Sequence, residues 1–385
     1  MSSSMIVRSR AMTASLGWFP RPVRGSRVPY MGWGTGAMAR RLGPAIGGTM
    51  RGEGDGNGER DGRAGGPVAT CAVVPPMPDA VARDLAPPGA GRDRPVLRFA
   101  PSPNGRLHLG HAYSALVNRI LADRTGGRFL VRIEDIDAAR CTSGLERAAL
   151  DDLAWLGASP DDTPMRQSER HDAYREALDR LRARDLVYPA FLSRGEVRRR
   201  VNEKEAGGAA WPRDPDGAPR YPGEDRARAP GEVAAMVREG RPHALRLDTA
   251  RALREVGSLR WREGRREVAA DSLAWGDPQL ARIEGGSFTP AYHLACTLDD
   301  AAQGITHVVR GRDLFHATSV HRLLQALLGL SAPIYRHHAL VTAPDGTKLS
   351  KSRGDTSLAA LREAGATRED VRAMLNLPAA RGAQT

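Results

Sequence analysis

Residues 96–133 read VLRFAPSPNGRLHLGHAYSALVNRILADRTGGRFLVRI, and their pattern predicts an α/β fold. Residues 96–99 have the apolar character of a short strand, and a proline-containing loop follows them. From Gly110 onward, apolar residues recur at helical spacing until the pair Gly126-Gly127 ends the helix. A second predicted strand at 129–133 completes a strand–helix–strand unit, which requires a parallel sheet.

Residues 1–94 carry no sustained helical or strand period and are rich in glycine, arginine, proline and serine. Such a segment cannot bury enough apolar surface to offset its ordering entropy, so we expect a disordered or mis-assigned N-terminal extension. The arginine-rich start also resembles an organellar transit peptide, but glycines interrupt any amphipathic helix there.

The rest of the chain divides by composition into four segments. We predict the first half of an α/β domain at 95–190, an inserted connective region at 191–243, the second half at 244–352 and a short helical segment at 353–385. Prolines, glycines and charges interrupt any pattern at 195–232, which predicts loops there. Further predicted helices are 143–156, 169–186, 314–328, 357–363 and 367–376, and further predicted strands are 244–248, 291–298 and 305–309.

The composition limits the classes of function. With 41% hydrophobic and 26% charged residues the chain can bury a core, and no apolar run has the roughly 18 residues of a membrane span. Three cysteines far apart exclude a disulfide framework and favour a reducing, cytoplasmic location. The net charge of +12 suggests a polyanionic partner, with a solvated basic surface as the alternative.

Two short motifs have the residue types that bind phosphate. His108-Leu109-Gly110-His111 stands at a strand-to-helix turn, where backbone amides and two imidazoles can donate hydrogen bonds to an anion. Lys348-Leu349-Ser350-Lys351-Ser352 follows a Pro-Asp-Gly turn and contains two of only three lysines in the chain. Lysines on such a loop suit a triphosphate, whereas either motif alone could be ordinary solvated surface.

Together the two motifs resemble the paired signatures of class I aminoacyl-tRNA synthetases. The stretches at 98–105, 132–137, 292–295 and 310–314 are similar to the glutamyl branch of that family, and the resemblance covers about residues 96–376. It implies a Rossmann-like catalytic domain that attacks the α-phosphate of ATP with the carboxylate of L-glutamate. The implied glutamate contacts are Arg98, Ser102, Glu134, Tyr292 and Arg310, and the implied catalytic and ATP-binding residues are His108, Gly110, His111, Lys348 and Lys351.

The residue chemistry agrees with a dicarboxylic amino acid. Arg98 and Arg310 can bind carboxylates, and Glu134, just after a strand, can hold an ammonium group. An ordinary ion pair at a strand end is the alternative for each residue taken singly. The resemblance further implies Mg²⁺ with the ATP and a monomeric enzyme without membrane contacts.

The chain ends soon after Ser352, which leaves no room for the large helical domain with which a full-length glutamyl-tRNA synthetase reads the anticodon. It therefore looks like the truncated paralogues in that family. Those activate glutamate without tRNA and esterify it to queuosine, the modified wobble base in the anticodon arm of tRNA(Asp). A minimal glutamyl-tRNA synthetase that charges the 3′ end of tRNA(Glu) or tRNA(Gln) is the alternative within the family.

One departure from the family concerns metal. Much of the family has a zinc site built from Cys-x-Cys and a later Tyr-x-x-x-Cys, whereas these positions are Ala190, Leu192, Tyr221 and Asp225 here. No thiolate remains, so we expect no zinc. Two other classes stay open: a small-molecule nucleotidyltransferase, disfavoured by the lysine loop, and a non-enzymatic tRNA-binding module, disfavoured because His108, His111 and Lys351 are all present.

Overall fold

The computed structural model describes residues 94–342 and 356–378. Residues 1–93 of the extension predicted at 1–94, the lysine loop and the last residues lie outside the described part. The strands are β1 (Val96–Phe99), β2 (Arg128–Ile133), β3 (Met165–Arg166), β4 (Val187–Ala190), β5 (His243–Leu247), β6 (Arg260–Glu263), β7 (Arg266–Ala269), β8 (Gln279–Glu284), β9 (Ser287–Pro290), β10 (His307–Gly311) and β11 (Ile334–His338).

The helices, together with the strands, confirm the α/β class, and they include all of the predicted helices. They are α1 (Leu109–Thr125), α2 (Ser143–Trp155), α3 (His171–Arg182), α4 (Arg194–Ala206), α5 (Pro230–Arg238), α6 (Thr249–Val256), α7 (Tyr292–Ala302), α8 (Thr318–Leu328), α9 (Leu358–Glu363) and α10 (Arg368–Met374). Two of them begin later than predicted, because 3-10 turns at Gln167–Arg170 and Arg312–Leu314 precede α3 and α8. Within the described ranges, no helix combines the length and the apolar character needed to cross a membrane.

The predicted strand–helix–strand unit is the centre of a parallel sheet. β1 and β2 pair in parallel, and β3 continues the sheet on the far side of β2. On the other side of β1 the backbone N–H of Thr306 donates to the oxygen of Val96 at 3.1 Å, which brings β10 alongside. β10, β11 and β6 follow in parallel, and β7 returns antiparallel. A Cβ at Gly127 would collide with the backbone oxygen of Pro95, so only glycine allows β2 to start this close to β1.

The predicted strand at 291–298 is wrong, because these residues belong to helix α7. Every residue from Leu294 to Asp300 is buried, so the apolar residues form a continuous run with no helical stripe. A short continuous apolar run does not distinguish a buried helix from a buried strand.

The interval 195–232, predicted as loops, instead contains helix α4 and the start of α5. A capping box starts α4: Ser193 Oγ accepts from the N–H of Glu196 at 3.2 Å, and the Glu196 carboxylate accepts from the N–H of Ser193 at 2.7 Å. The charged face of α4 is exposed, which hides its helical period from hydrophobic patterning.

An antiparallel sheet of β4, β5, β8 and β9 was not predicted. Ala190 at the end of β4 lies opposite Ala244 in β5. The chain therefore leaves the sheet after β4 and returns to it at β5, the strand that pairs with β4. The predicted inserted region at 191–243 occupies this excursion. The division of the chain into two catalytic halves around it stays a prediction.

Hydrogen bonds join three of the four positions at which much of the family has zinc ligands, namely Leu192, Tyr221 and Asp225. The Tyr221 hydroxyl donates to the Asp225 carboxylate, which also accepts from the backbone N–H of Phe191 at 2.9 Å. The N–H of Leu192 donates to the Tyr221 oxygen at 3.2 Å, and Arg228 pairs with Asp225. Burial opposes ionisation of Asp225, yet the hydrogen bonds from Tyr221 and Arg228 hold its pKa below the usual value. One phenol and one carboxylate already bonded to each other do not fit a tetrahedral zinc site.

Asp225→Asn should lower the free energy of unfolding by about 1–3 kcal/mol, because it removes a buried acceptor that serves several donors. Glu205→Gln, which removes only an exposed pair with Arg213, is the control and should change it by less than about 0.5 kcal/mol. Denaturant unfolding of both variants with and without a chelator measures this. Stoichiometric zinc in untagged wild-type protein, or unfolding that a chelator promotes, would contradict the expectation of no zinc.

Candidate active site

A cavity of about 800 Å³ opens at the carboxyl ends of β1, β2 and β10. This edge is where open parallel sheets bind ligands. All of the predicted site residues in the described part of the chain line the cavity; they are Arg98, Ser102, His108, Gly110, His111, Glu134, Tyr292 and Arg310. Residues as far apart in sequence as Arg98 and Arg310 therefore share one site.

Lys348 and Lys351 lie outside the described residues. The described residues before and after the lysine motif nevertheless lie close to the cavity. Leu340 and Val341 line it before the segment, and Ser357 forms a β-bridge with His108 after it. The described residues that flank the lysine motif on both sides therefore lie at the cavity or beside His108.

The two histidines shape the start of α1. His108 is the N-cap, and its Nδ1 accepts from the N–H of Gly110 at 3.1 Å. The Nδ1 of His111 accepts in turn from the backbone N–H of His108 at 3.2 Å. Because both Nδ1 atoms are acceptors, each neutral ring carries its proton on Nε2 and can donate from there. A Cβ at Gly110 would lie 3.0 Å from the His108 ring, so glycine lets the ring fold over the turn.

A buried ion network forms the floor of the cavity. Asp300 accepts from Arg98 Nε at 3.0 Å and from Arg132 Nη1 at 2.6 Å, and Arg132 Nη2 donates to Glu134 at 3.1 Å. Arg98, Arg132 and Asp300 are each at most 5% exposed. Although burial opposes its ionisation, the charges of Arg98 and Arg132 lower the pKa of Asp300 to about 2. The two arginines and two carboxylates balance each other in charge.

Glu134 lies at the cavity side of this network. Burial raises the pKa of its carboxyl, and the charge of Arg132 opposes that rise. A carboxylate with one hydrogen bond to Arg132 and one side facing the cavity can accept hydrogen bonds from an ammonium group.

Arg310 differs from Arg98 because it has no acidic partner in the described part of the chain. It is 4% exposed, and each of its donors contacts a neutral group. The acceptors are His337 Nε2 at 3.1 Å, Thr318 Oγ1 at 2.9 Å, the oxygen of Leu314 at 3.0 Å, His321 Nδ1 at 3.3 Å and the Tyr292 hydroxyl at 3.4 Å. A buried cation without a counter-ion favours an anionic ligand.

The histidines behind Arg310 are neutral. His321 accepts from Arg310 through Nδ1, so its Nε2–H donates to His293 Nδ1 at 3.2 Å. Burial and the neighbouring Arg310 charge lower the pKa of His293 to about 4 and hold that of His321 well below its usual value. These two histidines therefore add no positive charge to that of Arg310 at neutral pH.

Sequence reasoning missed the residues that hold the lining in place, above all Asp300, His321 and His337. Asp300 and His321 lie on helices whose faces were not assigned to the site. The pair His337-His338 stands just before the lysine loop, and this position was the available signal for it. His307 is buried outside the cavity lining, and burial lowers its pKa to about 4.

The chain is similar to known proteins in sequence and in structure. The family model for the catalytic domain of class I tRNA synthetases (E and Q) matches residues 96–384. A Glutamyl-Q tRNA(Asp) synthetase of Rhodobacter capsulatus is 42% identical over 292 residues, which are 73% of this chain and 100% of that protein. A Glutamate–tRNA ligase 2 of Methylobacterium sp. (strain 4-46) is 42% identical over 276 residues, which are 70% of this chain and 57% of that protein.

Among solved structures, a glutamate tRNA ligase from Elizabethkingia meningosepticum in complex with its amino acid is similar, with a TM-score of 0.57 and 31% identity. The match covers 68% of this chain and 53% of that one. The chain thus spans little more than half the length of the glutamate–tRNA ligases that it matches.

Asp300→Asn should lower the free energy of unfolding by about 3–5 kcal/mol, because it leaves two buried guanidinium groups without a full counter-charge. In the wild type this contribution should be complete above the ordinary carboxyl pKa of about 3.9 and disappear as the pH falls through about 2. Denaturant unfolding between pH 2 and pH 7 measures both effects. Equal stability of Asp300→Asn and wild type at pH 7 would refute the role of this carboxylate.

Proposed function

The chain belongs to the family of class I tRNA synthetases (E and Q), and we propose that its cavity activates glutamate with ATP in the absence of tRNA. We further propose that the acceptor of the activated glutamate is queuosine at the wobble position of tRNA(Asp). The observation that carries the choice of glutamate is Arg310, a buried cation that no described carboxylate contacts.

Charge supports glutamate over glutamine. Arg98 and Arg132 are balanced by Asp300 and Glu134, so the buried site has one positive charge in excess, on Arg310. Glutamate brings a net charge of −1 and glutamine brings none. Binding of glutamate therefore neutralises the buried site, whereas glutamine leaves it with a net positive charge.

The proposed glutamate contacts follow from the donors that remain. Arg310 Nη1 makes the two longest of that side chain's hydrogen bonds, to His321 and Tyr292, and can exchange one of them for a substrate carboxylate. Arg98 uses Nε and Nη2 for Asp300, which leaves Nη1 for a carboxylate. Glu134 binds the ammonium group, and Ser102 supplies a hydroxyl at the cavity wall.

The proposed ATP site is the start of α1. His108 and His111 donate from Nε2 to the α-phosphate, and Gly110 allows the phosphate to approach the helix N-terminus. A carboxylate oxygen of glutamate attacks the α-phosphorus in line, and pyrophosphate leaves. Lys351, aided by Lys348, neutralises the β- and γ-phosphates together with Mg²⁺. A hydroxyl of the queuosine base then attacks the glutamyl carbonyl, and AMP leaves.

Two observations bear on the RNA acceptor. The Rhodobacter relative matches over its entire length, and its name specifies transfer to tRNA(Asp). The Methylobacterium glutamate–tRNA ligase has the same identity, which favours the alternative, but the match covers only 57% of that protein. The net charge of +12 suits either RNA, since phosphate contacts depend on charge and not on sequence.

Lys351→Ala should lower the rate of adenylate formation on the order of 10²-fold or more, because it removes a charge from the triphosphate site. Lys204→Ala is the matched control: Lys204 is exposed on α4, lies over the Trp211 ring at 5.3 Å and does not line the cavity. Single-turnover adenylate formation compares the two. A rate for Lys351→Ala within a few-fold of the control would remove Lys351 from the mechanism.

Labelled glutamate should be transferred to tRNA(Asp) that contains queuosine, in an ester that survives removal of the terminal adenosine of the tRNA. The same tRNA without queuosine should accept none, and ATP–pyrophosphate exchange should need glutamate but no tRNA. Transfer should weaken steeply with salt. Efficient charging of unmodified tRNA(Glu) at its 3′ end would instead establish the alternative.

A further inference from the structure

His337 connects Arg310 to a carboxylate that does not reach the cavity. On one side, His337 Nε2 accepts from Arg310 Nε at 3.1 Å and faces the Thr318 hydroxyl at 3.4 Å. On the other side, its Nδ1 lies 2.9 Å from Glu263 Oε2. The three side chains therefore form a relay from Glu263 at the end of β6, through His337 in β11, to Arg310 in β10.

Glu263 contacts His337 twice. Its Oε1 accepts from the backbone N–H of His337 at 2.7 Å, and its Oε2 accepts from Nδ1. An ionised carboxylate can only accept, so Nδ1 must carry the ring proton. The hydrogen bonds from His337 hold the pKa of Glu263 below its usual value although burial opposes ionisation, and burial lowers the pKa of His337. At neutral pH the pair is therefore a carboxylate and a neutral imidazole.

The position of the ring proton on His337 determines whether its Nε2 can accept a hydrogen bond from Arg310. With the proton on Nδ1, Nε2 presents a lone pair to the Nε–H of Arg310 and fixes the plane of the guanidinium. With the proton on Nε2, two donors would face each other at 3.1 Å, and the guanidinium would have to turn. The Thr318 hydroxyl lies 3.4 Å from the same Nε2, and it can donate to this nitrogen only when the ring proton is on Nδ1.

We propose that Glu263 is a positioning residue for glutamate binding: it sets the tautomer of His337, which in turn orients Arg310 toward the substrate carboxylate. The inference rests on the proposed function, because it takes glutamate as the ligand of Arg310. Glu263 does not line the cavity, and the ring of His337 lies between it and Arg310, so its proposed effect on the substrate passes through His337.

Glu263→Gln tests the relay because the amide has one acceptor and one donor in place of two acceptors. The backbone N–H of His337 cannot change its role, so the amide oxygen must face it. The amide N–H₂ then faces Nδ1 and forces the proton to Nε2, against Arg310. The shape of the side chain and the fold around it are nearly kept.

The KM for glutamate in ATP–pyrophosphate exchange should rise about tenfold or more in Glu263→Gln, and the KM for ATP should stay within about twofold. Glu267→Gln is the matched control, since Glu267 is exposed on the adjacent strand β7 and pairs only loosely with Arg260. An unchanged KM for glutamate in Glu263→Gln, with active wild type, would overturn the relay. Inactive wild type would overturn the proposed function instead.

A second readout does not depend on activity or on the stability of the variant. The ¹⁵N shifts of the His337 ring in the wild-type protein, assigned by through-bond experiments, distinguish the two tautomers. The Nδ1–H form is expected in the wild type, and the Nε2–H form in Glu263→Gln. An Nε2–H form in the wild type would overturn the proposal whatever the kinetics of the variant.

Discussion

The carboxylate of Asp300 links helix α7 to the parallel sheet through buried ion pairs beneath the cavity. It accepts from Arg98 in β1 and from Arg132 in β2, and it is supplied by a helix that joins β9 to β10. Because all three side chains are buried, each arginine has a fixed position. The hydrogen bond from Arg132 in turn positions the carboxylate of Glu134. The lining of the cavity is thus set before any ligand enters.

Two buried arginines in one cavity have different surroundings, and we propose that this difference makes the site select an anionic substrate. Arg98 is paired with Asp300, so its charge is already balanced and only part of its guanidinium is available. Arg310 is surrounded by hydroxyls, a carbonyl oxygen and neutral imidazoles, so its charge is unbalanced. A buried unpaired charge costs several kcal/mol, and an anionic ligand removes much of that cost on binding.

The sequence predicted the residues that line the cavity better than the residues behind them, which hold the lining in position. Arg98, Glu134 and Arg310 each stand at the end of a predicted strand, or directly after one, and residues in that position face the same edge of a parallel sheet. Glu263 and His337, by contrast, are 74 positions apart and meet only because β6 pairs with β11, two strands that the sequence pattern did not indicate. The burial of α7 on all sides removed the period that would have identified it as a helix.

The neutral histidines around Arg310 explain why it can act as a binding group at all. A carboxylate in place of His321 or His337 would pair with the guanidinium and leave no net charge for a ligand. Imidazoles accept the same hydrogen bonds without bringing a negative charge, and burial keeps them unprotonated. The carboxylate of Glu263 is separated from Arg310 by the width of the His337 ring. It can therefore orient the cation without neutralising it by direct contact, which leaves the charge of Arg310 available to the substrate.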